Sequence, residues 1–438
     1  MEILIKAAQL LMSLSILVIL HELGHFIPAK LFKTRVEKFY LFFDPWFSVV
    51  KKKVGGTEYG IGWLPLGGYV KISGMIDESM DKEQMKKPPE NWEFRAKPAW
   101  QRLIIMLGGV TVNLLLGIFI YSMILFTWGD AYLPNKNVVD GVVCSDFAKE
   151  TGFQNGDKII TIDGESPERF RDIQSSMVLR DEPFIVVVER GGDVVDIPIG
   201  NNFIKHWKNN GKERLFSPAV IVKIDGFTKN SNSKKAGLLK GDILLSVNGA
   251  KTNHFNEFRA VLQKNKSKTI KVGVLRGYDT SVVSVNVSQE GMIGFTNSPS
   301  NLKTSFEEFS LISSFPAGYR LAMNMLGEYI SQFALIFNSD NDLGGEVGGF
   351  GAIGSMFPSA WNWYSFWQLT AFLSLMLGFI NLLHIPALDG GHVMFLLYEM
   401  VVGKPAPDKV MEYAQGIGMI LLLGLLIFAN GNDILKLF

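Results

Sequence analysis

Two histidines four residues apart flank a glutamate in His21-Glu22-Leu23-Gly24-His25. Residues four apart on a helix share one face, so both imidazoles can turn to a single metal ion while the carboxylate between them reaches a metal-bound water. Zinc sites that catalyse hydrolysis keep three protein ligands and leave the fourth position to water, so a third ligand is needed. The candidates are Asp389, His384, His392, His206 and His254. His206 and His254 stand among polar neighbours and read as surface histidines. Asp389 is favoured: it is a carboxylate inside Asn381-Leu-Leu-His-Ile-Pro-Ala-Leu-Asp-Gly-Gly-His392, an apolar stretch with no packing reason to hold a charge.

These groups ride on segments that read as membrane spans. A spanning helix needs about 20 mostly apolar residues, and four windows qualify: 7–28, 103–128, about 365–392 and 413–432. The first holds the histidine pair and the third holds Asp389. Ionisable groups at membrane depth cost about 2.5–3.5 kcal/mol each and mark function by default. The first window lacks a small-x-small cleavage site and reads as an anchor, not a leader. Residues 29–102 carry 14 Lys+Arg against 9 Asp+Glu, which by the positive-inside rule places that loop in the cytoplasm. Both termini and the segment between spans two and three then face outward, and the reactive groups lie toward the cytoplasmic side.

Composition agrees. The 438 residues balance 43 Lys+Arg against 42 Asp+Glu for a net charge of +1, which gives no basic excess for a nucleic-acid partner. Charged residues are 19%, below the roughly 25% of soluble domains, and the mean hydropathy of +0.19 is too polar for a chain buried wholly in lipid. Spans alternating with soluble domains follow. The single cysteine, Cys144, excludes a disulfide framework and a Cys-rich zinc module, and reads as an inert packing residue.

The outer segment contains a repeat. Thr151-Gly-Phe-Gln-Asn-Gly-Asp-Lys-Ile-Ile-Thr-Ile-Asp-Gly164 recurs 85 residues later as Ala236-Gly-Leu-Leu-Lys-Gly-Asp-Ile-Leu-Leu-Ser-Val-Asn-Gly249. Each copy combines a short helical step into glycine, a Gly-Asp turn, a β-rich run and an Asp-Gly or Asn-Gly hairpin turn. Both resemble PDZ domains, placed at 129–220 and 221–300. Residues 301–364, with the glycine-rich patch 343–351, read as an amphipathic connection back to the bilayer.

The whole chain resembles the site-2 protease family of intramembrane zinc metalloproteases, and within it the bacterial regulator of sigma-E protease branch with two PDZ domains. The residues that carry this are His21-Glu-Leu-Gly-His25 with Ala29, Gly109 and Asn113, Leu64-Pro-Leu-Gly-Gly-Tyr-Val70, the two repeat blocks, and Asn381 with Pro386-Ala-Leu-Asp-Gly390. The resemblance implies Zn2+ held by His21, His25 and Asp389, Glu22 as catalytic base, and Asn381 binding substrate backbone or steadying the oxyanion. It implies a bacterial inner-membrane enzyme acting on transmembrane polypeptides: an anti-sigma factor already trimmed outside, and remnant signal peptides. Three departures, Val110, His384 and Glu346 where the family often has proline, remove no ligand; His384 stays open as a neighbour of the ligands or an alternative to them.

A span's amides are bonded within its own helix, so a substrate must unwind before it is cut. Residues 57–72 alternate β-formers with glycines and turn at Pro65–Gly68. In the family a hairpin here re-enters the membrane, and we expect the edge 57–63, with Gly60, Ile61, Gly62 and Trp63, to take substrate by strand addition. The expected fold is thus an α-helical membrane protein of four spans with a re-entrant β-hairpin, plus two tandem β-rich PDZ domains outside. A catalytically inactive PDZ scaffold would have no use for Glu22 beside both histidines, and a metal transporter would need further acidic residues along its spans.

Overall fold

The computed structural model describes all residues except 1, 66, 76–87, 181, 202, 210–213, 253, 337–347 and 436–438. Leu66 and Glu346, both noted above, lie outside the described residues. The chain divides into two compact units, one of residues 1–129, 308–333 and 343–438 and one of residues 130–307 and 334–342.

The first unit holds helices α1 (Glu2–Leu31), α2 (Ala99–Trp128), α3 (Leu311–Ile336), α4 (Phe350–Met356), α5 (Trp363–Leu382), α6 (Asp389–Val402) and α7 (Asp408–Leu435). Among the described residues, α1, α2, α5 and residues 409–435 of α7 are long and apolar enough to cross a membrane. On α2 the buried positions Met106, Gly109, Asn113, Gly117, Ile120 and Ile124 recur every three or four residues, the stripe a helix needs to pack on neighbours. Helices α1, α5 and α6 all lie against it.

The third span is not one helix. It ends at Leu382 and restarts at Asp389. Pro386 has no N–H to donate, and Ala387 is held at φ 78. The linker doubles back so tightly that a Cβ at Gly390 would strike the carbonyls of Leu382 and Leu383. The break leaves Asp389 at the head of a helix, where the axial dipole favours a carboxylate. At the far end of α6, Glu399 is paired with Arg102 of α2. The expected connection at 301–364 is largely helical: α3 packs Leu321, Ala322 and Met325 against Ile120, Tyr121 and Ile124 of α2 and Leu375 of α5. Its apolar residues are too diluted to read as a span, yet they cover one face.

Beside α1 lies a four-stranded sheet of β1 (Val36–Leu41), β2 (Phe43–Val54), β3 (Thr57–Leu64) and β4 (Tyr69–Ile72), in the order β2-β3-β1-β4. This corrects the expected edge. Strand β3 is interior: antiparallel to β2 and parallel to β1, with Leu41 opposite Ile61. Among the described residues the sheet's outer strands are β2 and β4.

The second unit holds two hydrophobic cores. One, built around Phe153, Ile162, Ile173, Met177 and Val186, is drawn from residues 138–216; the other, around Val222, Leu244, Phe258 and Val272, from 222–293. In chain order the strands are β5 (Asp130–Tyr132), β6 (Val142–Cys144), β7 (Lys158–Ile162), β8 (Phe184–Arg190), β9 (Asp193–Ile199), β10 (Phe216–Pro218), β11 (Ile224–Phe227), β12 (Ile243–Val247), β13 (Ala250–Lys251), β14 (Thr269–Arg276), β15 (Asp279–Asn286), β16 (Phe295–Asn297) and β17 (Ser305–Glu307). Sheets β7-β8-β9 and β13-β12-β14-β15 form the two halves, with pairs β6-β10 and β11-β16 beside them, and β5-β17 joins the ends of the segment.

The sequence repeat is a repeat of bonds. Asp157 accepts from Gln154 N–H and from Arg190 Nε and Nη2, each at 2.8 Å, and Arg190 Nη2 also donates to Gly152 O at 2.8 Å. In the second copy Asp242 accepts from Leu239 N–H at 2.9 Å and from Arg276 Nε and Nη2 at 2.8 and 2.7 Å, while Nη2 donates to Gly237 O at 3.0 Å. Hydrogen bonds from Arg276 hold the Asp242 carboxyl below its usual range, against the opposing effect of burial. Burial pushes the Cys144 thiol up to about 12, so it stays protonated and unreactive.

Candidate metal centre

Helix α1 brings His21 and His25 to one buried face and α6 brings Asp389 to meet them. Asp389 Oδ2 lies 3.3 Å from His21 Nε2 and 3.3 Å from His25 Nε2, and the two Nε2 atoms are 3.3 Å apart. Among the described residues this is the one group of three His, Cys, Asp or Glu side chains close enough to share an ion. Three lone-pair donors at the corners of an equilateral triangle repel one another unless a cation stands between them. Bonds of about 2.0–2.1 Å to tetrahedral zinc place ligand atoms roughly 3.3 Å apart. Among the described residues Asp389 Oδ2 is buried with no hydrogen-bond partner, an orphan that a metal ion would satisfy. The residues present fit zinc.

The surroundings keep the candidate donors aimed. His25 Nδ1 donates to the Ile105 carbonyl at 2.8 Å, a bond that in the neutral imidazole turns the bare Nε2 toward the triad. His21 Nδ1 meets the Asn113 side-chain amide at 3.0 Å. Gly109 lies flat against both rings; a Cβ there would collide with His25 Nε2 and come within 2.6 Å of His21 Cε1.

The triad opens on a cavity of about 720 Å³ whose walls include Glu22, Asn381 and residues Tyr69–Ile72 of β4. Glu22 is 9% exposed, and Asn381 Nδ2 is 3.4 Å from His21 Nε2. The remaining histidines stand apart from the triad: His384 is exposed, His392 lines the cavity but bonds Gln415 at 2.7 Å, and His206 and His254 belong to the second unit.

Gly60, Ile61, Gly62 and Trp63 do not line this cavity. Trp63 donates to the Pro45 carbonyl at 2.9 Å and stacks with Trp46 and Phe47, and a side chain at Gly60 would strike the Tyr40 ring. Their neighbours explain these residue types structurally, and the strand that faces the triad is β4. Residue types gave no sign of the Ile105 carbonyl, since a backbone acceptor leaves no mark in a sequence. Asn113 did carry a signal, as a buried amide in a charge-free span.

The sequence pattern of Peptidase family M50 matches residues 9–425. Over the full length of both chains, the sequence is 26% identical to a Vibrio cholerae protein named "Putative zinc metalloprotease" and 27% identical to the regulator of sigma E protease of Haemophilus influenzae. It is 27% identical to the regulator of sigma-E protease RseP of Escherichia coli, over 98% of each chain. A family pattern that runs nearly end to end, over a helix bundle that gathers a zinc-type donor set, settles the class: the chain belongs to Peptidase family M50, the site-2 proteases, and is a zinc metalloprotease of regulated intramembrane proteolysis.

Proposed function

We propose that the enzyme is an endopeptidase that cuts membrane-spanning segments of single-span proteins, with His21, His25 and Asp389 as zinc ligands and Glu22 as general base. The observation that carries this is the mutual 3.3 Å spacing of three donor atoms among helices long and apolar enough to cross a membrane. Bound zinc supplies an acidified water and an electrophilic contact for the scissile carbonyl. Glu22, on the cavity wall, takes the attacking water's proton and returns it to the leaving amine. Asn381 offers its amide N–H to substrate backbone or to the oxygen on which charge develops.

Substrate enters as a strand. Among the described residues one side of β4 has no strand partner, and that strand walls the catalytic cavity, so an unwound segment laid along it would gain main-chain hydrogen bonds beside the triad. The sheet's position supports re-entry into the bilayer. Lys30 Nζ donates to Thr57 Oγ1 at one end, while Gly68 at the other lies against Val18, about 18 Å along α1 at 1.5 Å per residue. Trp46 at that deeper end is 91% exposed, as a lipid-facing ring would be. Charge bias in 29–102 places this loop in the cytoplasm, and with it both termini and the two β domains outside, in a bacterial inner membrane.

The two β domains, read as PDZ domains, would screen substrates by size, admitting an anti-sigma factor trimmed on the outside, and signal-peptide remnants. A reconstituted single-span substrate tests the reading. Glu22→Gln should keep zinc and lose about 10³-fold in cleavage, and a folded outer domain on the substrate should slow the wild-type enzyme. Undiminished cleavage by Glu22→Gln would overturn the assignment.

A further inference from the structure

Asn113 is wholly buried at the middle of α2, and its side chain reaches one functional atom, His21 Nδ1, at 3.0 Å. As placed, the amide Nδ2 faces that nitrogen and Oδ1 is buried with no partner among the described residues. An amide nitrogen only donates, an amide oxygen only accepts, and the two ends have the same shape. Either orientation leaves one end without a protein partner, so the imidazole decides. If the amide N–H donates to Nδ1, the ring's proton must sit on Nε2, the atom 3.3 Å from Asp389, and the lone pair needed for a metal is lost. If Oδ1 accepts from Nδ1–H, Nε2 is left bare toward the triad.

We propose that Asn113 is a positioning residue that fixes the ligating tautomer of His21 through its side-chain oxygen, as the Ile105 carbonyl does for His25. The inference rests on the zinc-protease reading and deepens it. The two ligands of one helix are then oriented by the neighbouring helix in two ways, one through main chain that no substitution can remove and one through a replaceable side chain. Ser374 of α5 donates to the Asn113 main-chain oxygen at 2.7 Å, which separates the residue's structural tether from its side-chain role.

The test is Zn2+ affinity of the full chain in detergent, by competition with a chromophoric chelator. Asn113→Leu, with the same branched heavy-atom skeleton but no acceptor, should weaken zinc binding about 10- to 100-fold. Asn113→Asp, which can only accept, should hold zinc within a few-fold of wild type, and Ser374→Ala should leave affinity unchanged. Helicity and the Co2+ absorption spectrum of each variant check the fold and the tetrahedral site. Zinc affinity unaltered in Asn113→Leu, or weakened equally in Asn113→Asp, would overturn the proposal. If wild type itself bound no zinc, the underlying reading would fail instead; His21→Ala, expected to lose zinc whatever Asn113 does, sets the baseline.

Discussion

Buried carboxylates have opposite fates in the two units. In the β unit, Asp157 and Asp242 are closed off: each takes two bonds from an arginine fork and one from a backbone amide. In the membrane unit, Asp389 Oδ2 faces two imidazole Nε2 atoms at 3.3 Å and is buried with no hydrogen-bond partner among the described residues. Burying a carboxylate is costly unless it is paired or binds metal. The first pattern is how a fold retains a charge for stability; the second fits the proposed role of Asp389 as a metal ligand.

The largest expected effect comes from removing the unsatisfied carboxylate. Asp389→Ala should lower zinc affinity at least about 100-fold and abolish proteolysis while the helices stay folded, as metal analysis and circular dichroism of the same sample will show. Retained stoichiometric zinc would erase the distinction between the two kinds of aspartate. Next is the free edge of β4. Alternate residues of an edge strand aim their N–H outward, so proline at Val70 or at Lys71 should, in one of the two, reduce cleavage about 100-fold with zinc content intact. Equal activity in both would remove strand addition at β4.

In the β unit the effects should fall on stability alone. Arg190→Met strands a fully buried Asp157 and should destabilise the first β domain by about 2–3 kcal/mol, seen as an earlier transition in scanning calorimetry with zinc content unchanged. A change in zinc content would break the comparison. Smallest is a pH effect. Arg276 depresses the carboxyl of Asp242, so the folded domain binds that proton less readily than the unfolded chain. The stability this contributes is present above the unfolded value near 4 and is lost as pH falls through the lower folded value. Thermal stability of the β unit should be flat between about pH 5 and 8 and decline below about 4, with a shallower decline in Arg276→Gln.

Much of the centre was legible because membrane depth makes charge conspicuous. Glu22 between two histidines, and Asp389 alone in an apolar run, stand out for the same energetic reason. The repeated Gly-Asp turns were visible too, but not the arginines that complete them, 33 and 34 residues downstream, since nothing local marks a partner at that range. Strand order was the real loss. Residues 57–63 look like a strand from their alternation, yet whether they form an edge depends on residues 36–41, upstream of the β2–β3 hairpin, lying parallel on their other side. The break in the third span was signalled by Pro386, but hydrophobicity alone runs straight through it.

X-ray absorption of the zinc-loaded full-length enzyme tests the central claim most directly. A four-coordinate shell of nitrogen and oxygen at about 2.0–2.1 Å, with two imidazoles that fall to one in His25→Ala, is the result expected from the His21, His25 and Asp389 geometry. A shell without imidazole scattering, or one untouched by that substitution, would contradict it.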